Sequence, residues 1–223
     1  MFVHLEQRQR RVFPWATLLL VTACVAVFVC LSLTPAAARL RLVLAWGVMP
    51  AELLSGTLHP AHLAQLVSTL FIHADWLHLV SNLLFLVIFG LPAERALKWQ
   101  RYLLLFLTGG ACANLMGAVS VADSHAVLVG CSGAVSAVVG AYLALFPRAR
   151  LGVVLPLGLF FEFVRVPALL LIGVWVLLQF VFTYVGPSFG AVVWWTHIAG
   201  FLFGLLFGTL SRPALARRQR RAV

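Results

Sequence analysis

Gly130-Cys131-Ser132-Gly133 opens an apolar run that continues to Phe146. A hydroxyl between glycines, inside a segment apolar enough for lipid, stands out, although serine also serves as plain packing material between membrane helices. Small residues recur here at every fourth position: Ser132, Ser136, Gly140 and Ala144. Residues four apart share one helical face, so this face is a smooth ridge where a second backbone can approach. Thr196, Gly200, Gly204 and Gly208 form another such ridge, with His197 at its start. Packing the two ridges together brings Ser132 to His197, a nucleophile to a base.

Composition sets the environment of that pair. The chain is 63% hydrophobic and only 10% charged, with a mean hydropathy of +1.04, whereas soluble domains are nearer half apolar and a quarter charged. These values indicate a polytopic membrane protein built as a single domain over 1–223, with the lipid bilayer as its main partner. The net charge of +10 does not imply nucleic-acid binding, because the arginines cluster at segment ends as topology signals do. Cys24, Cys30, Cys112 and Cys131 lie in or beside apolar segments without CxxC spacing. That argues against a disulfide framework or a zinc site and for buried free thiols. The first apolar run is long enough to span and reads as a retained helix rather than a cleaved signal.

Six spans are expected, at about 14–33, 76–93, 102–120, 130–146, 166–185 and 192–210. Pro14 suits a first-turn position. The stretch from Pro35 to Leu70 is broken by Pro50, Gly56 and Pro60 and carries Arg39, Arg41, Glu52, His59 and His62, so it reads as a long loop with amphipathic pieces in the interface. Basic residues collect in the tail 1–13, in the loop between spans 2 and 3 (Arg95, Lys98, Arg101), in the loop between spans 4 and 5 (Arg148, Arg150, Arg165) and in the tail 212–223. The loops around Asp123 and at 185–191 have none. Both termini are therefore expected in the cytoplasm, against which only Arg39 and Arg41 count.

This topology has a consequence for chemistry. Spans 2, 4 and 6 run from outside to inside, and His78 and Asn82, Ser132, and His197 lie near their respective starts. Three separate segments thus put their polar residues in one shallow layer below the outer face. Serine needs a base within hydrogen-bond reach, and His197 is the only histidine in spans 4 to 6. With no carboxylate in those spans, a Ser132–His197 dyad is expected, oriented by packing. His78 and Asn82 share one helical face, and with the Ser132 backbone N–H they supply three donors for a developing oxyanion. The alternative for Asn82 is a helix–helix hydrogen bond. Cys131 is a rival nucleophile, but about 100° around the helix from Ser132 it cannot face the same partner. His59, His62, His73 and His125 gather towards the same face; without an HExxH motif, and with few carboxylates, they argue against a catalytic metal. His73 is expected to hydrogen-bond the loop rather than touch substrate.

Together these residues resemble the rhomboid family of intramembrane serine proteases. The resemblance rests on His73-x4-His78-x3-Asn82, Phe89-Gly90 with Glu94-Arg95, Gly130-x-Ser132-Gly133 and His197-x2-Gly200-x3-Gly204, and covers about 45–210. It implies an all-α, six-helix membrane bundle and a serine endopeptidase that cuts peptide bonds in or near transmembrane segments of protein substrates. In it Ser132 is the nucleophile and His197 the general base, then acid. His78, Asn82 and the Ser132 amide form the oxyanion hole, and His73, Glu94, Gly130, Gly133, Gly200 and Gly204 are structural. It also implies a partly embedded first loop, substrate gating by span 5, no metal and no cofactor. The expected location is a plasma membrane of the bacterial inner-membrane kind, with the active site facing outwards. The chain departs from the pattern at Ala64-Gln65, where many members have Trp-Arg, and at Ser136, where many carry an aromatic that packs on the histidine; Trp194 or Trp195 could take that role here. A catalytically inactive rhomboid-like binder of transmembrane segments is the alternative. A small transporter is a third, but the spans lack the deep charges and broken inverted repeats that it would show.

Overall fold

The computed structural model describes residues 13–56, 59–157, 160–185 and 194–220, with side chains described except at 153–157, 160–163 and 216–220. The basic tail 1–12, the loop 186–193 and the side chains of Arg217, Arg218, Arg220 and Arg221 lie outside that description. The elements in order are α1 (Trp15–Leu33), α2 (Ala36–Trp46), α3 (Pro50–Leu53), α4 (Pro60–Ser68), a 3-10 turn (Thr69–Phe71), α5 (Trp76–Leu97), α6 (Trp99–Ser120), α7 (Ser132–Leu145), β1 (Arg150–Leu157), β2 (Phe160–Pro167), α8 (Ala168–Val185) and α9 (Trp194–Arg220). Among the described residues, five helices are long and apolar enough to cross a membrane: α1, α5, α6, α8 and the Trp194–Leu215 part of α9.

The fourth expected span differs. α7 has 14 residues, about 21 Å at 1.5 Å per residue, against a hydrocarbon core of about 30 Å. It also has little surface for lipid, because Gly133 to Tyr142 and Ala144 are all buried. It is the central post of the bundle, and α5, α6 and α9 pack around it. Its start is fixed by Gly130, whose φ of +111° suits glycine, and by Cys131 at the N-cap. The non-helical chain leading to it is tied down. Val48 and Leu128 pair as an isolated bridge, and the Gly130 N–H donates to the Thr69 carbonyl at 3.0 Å. Irregular backbone at membrane depth is tolerated only where protein satisfies its polar groups in this way.

The two small-residue ridges do meet, in a register shifted by one residue on the α7 side. A Cβ added at Gly200 would collide with the Gly133 carbonyl oxygen, and one at Gly204 with the Ala137 carbonyl. In return, a Cβ at Gly140 would collide with the Phe201 carbonyl. The α9 glycines thus seat against the backbone of Gly133, Ala137 and Ala141, with Ser136 and Gly140 flanking. Such close backbone approach is how membrane helices gain van der Waals contact without a hydrophobic drive.

Glu94 closes the other end of the bundle. Pro14 is at the N-cap of α1 rather than in its first turn and offers no side-chain cap. The buried Glu94 carboxylate on α5 accepts instead from Ala16 N (2.9 Å), Thr17 N (2.8 Å) and Thr17 Oγ1 (2.7 Å). It satisfies orphan N–H groups and sits at the positive end of the α1 dipole.

The long loop after α1 folds into α2, α3 and α4, as its amphipathic pieces suggested. Gln65 Nε2 donates to the Ala45 carbonyl at 3.1 Å and Ser68 Oγ to the Trp46 carbonyl at 2.7 Å, which tie α4 to α2. Buried Asn114 on α6 donates to the Leu66 carbonyl at 2.9 Å. Gln65 therefore anchors the loop at a position where the family pattern has arginine. The loop between α7 and α8, singled out in the sequence only for its arginines, holds an antiparallel hairpin in which Arg150 pairs with Pro167 and Leu157 with Phe160.

Candidate active site

Ser132 is the first residue of α7, and His197 lies in the first turn of α9. The ridge packing of these helices sets the distance between them. His197 Nε2 lies 2.9 Å from Ser132 Oγ, within hydrogen-bond range, and both residues are partly buried.

The sequence pointed to packing alone as the support for His197, and the structure supplies a polar partner as well. Gln179 on α8 is buried, and its Oε1 lies 2.7 Å from His197 Nδ1. The other end of the same amide donates to the Trp175 carbonyl at 3.2 Å, which turns the oxygen towards the histidine. Nδ1–H then donates to Gln179, and Nε2 is left to accept from the serine hydroxyl. The missed signal was a lone glutamine in an apolar span, which is costly in lipid without a partner.

Aromatic rings complete the surround. Trp194 meets the His197 ring edge-on, with centroids 5.7 Å apart, and Trp175 is tilted against it at 6.4 Å. Trp195, the other tryptophan considered from sequence, is exposed. Ser136 turns back into its own helix, donating to the Ser132 carbonyl at 2.7 Å. The aromatic wall that many rhomboids place on α7 is thus built here from α8 and α9.

A cavity of about 650 Å³ opens over the pair and is lined by His78, Ser81, Asn82, Gly130, Ser132, Trp175, Trp194 and His197, among others. The polar layer inferred from the sequence is therefore one continuous surface. His78 and Asn82 sit on α5. The Asn82 amide nitrogen donates to the His78 carbonyl at 2.8 Å, which uses one of its two N–H groups. Asp75, a loop residue by sequence, caps α5 by accepting from the His78 N–H at 2.8 Å. Gly130 lies against the Nε2–Cε1 edge of the His78 ring: an added Cβ would be 2.5 Å from Nε2 and 2.6 Å from Cε1.

His73 precedes α5 and lines a neighbouring cavity instead. Its Nε2 lies 3.4 Å from Cys131 Sγ, and its ring meets the His78 ring edge-on at 5.2 Å. The expected hydrogen bond to the loop is thus made to a thiol. Burial, and then the neighbouring His78, push the His73 imidazole down to about 4, so it is neutral near pH 7. Cys131 is buried and directed at His73, not at His197. Among the other histidines, His59 caps α4 by accepting from Ala61 N at 3.2 Å, and His125 is exposed.

A stretch of 78 residues is 37% identical to Rhomboid-related protein 2 of Mus musculus; it covers 35% of this chain and only 25% of the mouse protein. The Rhomboid domain family matches residues 60–214. That match runs from the start of α4 into the last third of α9 and takes in every residue placed around the cavity, and on it the chain belongs to the rhomboid family.

Proposed function

We propose that this protein is an intramembrane serine endopeptidase that hydrolyses peptide bonds in or near transmembrane segments of other membrane proteins. The observation that carries this reading is the 2.9 Å contact between Ser132 Oγ and His197 Nε2 at the floor of a cavity inside a helical membrane bundle.

The chemistry follows from that contact. His197 Nε2 takes the proton of Ser132 Oγ as the oxygen attacks the scissile carbonyl carbon. The negative charge that develops on the carbonyl oxygen is met by the Ser132 N–H, unpaired at the start of its helix, by the second Asn82 N–H and by the His78 ring. The imidazolium then gives its proton to the leaving amine, and the C–N bond breaks. Water enters through the cavity, loses a proton to His197 and attacks the acyl carbon; as the ester C–O bond breaks, His197 returns that proton to Ser132 Oγ and the acid product leaves. No step in this sequence calls on a metal or an organic cofactor. Gln179 keeps Nε2 as the basic nitrogen throughout.

The same reading carries the rest of the topology. We place both termini in the cytoplasm and the cavity on the outer side of a plasma membrane, with α7 counted as the sixth, shortened span. The substrate's transmembrane segment approaches past α8, the least buried of the five long spans at 17%. The test is cleavage of a single-span reporter by purified protein in liposomes. Cleavage by the wild type and none by Ser132→Ala or His197→Ala supports the reading. Binding without cleavage by the wild type would make the protein an inactive binder of transmembrane segments.

A further inference from the structure

Beside the start of α7, three ligand-type side chains converge. Cys24 on α1, His73 before α5 and Cys131 at the N-cap of α7 are all buried, and their Sγ and imidazole nitrogen atoms all lie within 4.8 Å of one another. The positions 24, 73 and 131 form no sequence motif, so spacing alone pointed to inert thiols; only the folded chain assembles the set.

We propose that Cys24, His73 and Cys131 bind a thiophilic d10 divalent cation of the Zn2+ type, and that its occupancy slows turnover at Ser132. The ligand set is the reason for the cation class. Thiolate and imidazole ligands select soft or borderline metals over Mg2+ and Ca2+, and two sulfurs with one nitrogen are a known three-ligand zinc set with a fourth position open. Binding converts both thiols to thiolates and releases two protons. The dication and the two thiolates then sum to zero charge, which is the condition for burying ions in an apolar bundle. The ligands sit on three elements far apart in sequence, each held by packing, so binding needs small side-chain shifts rather than refolding.

Access is also present. A second cavity, of about 420 Å³, is walled by Phe28, Ser32, Arg39, Ile72 and His73 and adjoins the cavity over Ser132 through the shared wall of Ala74, Val127 and Val129. It leads from the α1–α2 corner to the histidine ligand. The Arg39 charge on its wall makes passage of a cation slower at low salt.

The coupling to chemistry is geometric. Cys131 is bonded to Ser132 and follows Gly130, which lies against His78. A metal that draws Cys131 Sγ towards Cys24 and His73 moves the start of α7, and a shift of under 1 Å there spoils a nucleophile–base contact. Cys24 is on α1, away from the cavity over Ser132, so it can be changed without touching the proposed protease machinery.

The test uses the full chain, purified in detergent and kept reduced, titrated with Cd2+. The expected result is a thiolate-to-Cd2+ charge-transfer band that saturates at one equivalent. It is lost in Cys24→Ala and in Cys131→Ala, and His73→Ala weakens the binding. Zn2+ then lowers kcat of the wild type by about tenfold or more with little change in KM, and leaves Cys24→Ala unaffected at an unchanged basal rate. Absence of the band in the wild type, or its persistence in the Cys24→Ala/Cys131→Ala double variant, overturns the site. A band without inhibition overturns the coupling. The binding arm reads no activity, so its failure and a failure of the protease reading are distinguishable.

Discussion

His197 touches Gln179 with one ring nitrogen, at 2.7 Å, and Ser132 with the other, at 2.9 Å. The histidine is therefore held between α8 and α7 while rooted in α9, and its tautomer is set by a neutral amide rather than a carboxylate. A neutral acceptor orients the ring but offers no charge to the imidazolium. The expected value of this support is that of a single neutral hydrogen bond, about 1 to 1.5 kcal/mol. Gln179→Ala and Gln179→Leu should lower kcat by about tenfold and leave KM nearly unchanged, whereas Gln179→Glu should keep the acceptor and most of the turnover. Wild-type kcat in both Gln179→Ala and Gln179→Leu would show that the aromatic rings alone position His197.

The same pair sets a pH dependence. A proton on Nε2 removes the acceptor for the serine hydroxyl, so turnover falls as pH drops through the His197 titration. A pH–rate profile should show one acid limb on kcat, with substrate affinity flat across it. Two essential groups on that limb would mean that a second titrating residue takes part.

The α7–α9 packing gives a stability test. Gly200→Val and Gly204→Val place carbon where the structure has the carbonyl groups of Gly133 and Ala137, and backbone cannot yield cheaply. Both should lower the detergent melting temperature and activity together. At Gly208 the nearest atom to an added Cβ is the Ala144 methyl at 2.8 Å, and the site is about three turns from His197, so Gly208→Val should cost stability with less effect on kcat. Wild-type turnover in the first two variants would contradict the packing.

Glu94 is a second stability test, independent of the chemistry. Glu94→Ala leaves the buried donors of Ala16 and Thr17 without their acceptor, at a cost on the order of 3 kcal/mol. Thermal unfolding in detergent should fall clearly, and Glu94→Gln should recover part of the loss. An unchanged midpoint would mean that the α1 end finds other partners.

For the proposed oxyanion donors, His78→Ala and Asn82→Ala should each lower kcat by about ten- to a thousandfold and spare substrate affinity. Asn82 already spends one N–H on the His78 carbonyl, so its effect should fall towards the lower end. Lost affinity at constant kcat would make them binding residues instead.

What could be read without coordinates divides along physical lines. Ser132, His197, Gly200 and Gly204 were legible because close helix packing writes small residues at a fixed period, and His78 and Asn82 because polar groups are expensive in lipid. The register of the ridges was not, since which of Gly133 or Ser136 meets Gly200 depends on helix rotation. Gln179 is the single glutamine of its span and Cys24 one of two cysteines in its own, and only tertiary structure reveals what they face. The paired strands Arg150–Leu157 and Phe160–Pro167 are masked in the sequence because their arginines double as topology signals, although their valines and phenylalanines favour strands. The start of α7 is set by a glycine with positive φ, which sequence shows only as one glycine among 17.

The most direct measurement is covalent labelling of the detergent-purified protein with a fluorophosphonate probe, read by peptide mass spectrometry. A serine activated by His197 should carry the probe at Ser132 in the wild type, and the label should disappear in Ser132→Ala and His197→Ala while persisting in Cys131→Ser. Wild-type protein that is folded but unlabelled at Ser132, or labelled equally in His197→Ala, would contradict the claim that this pair is a working nucleophile and base.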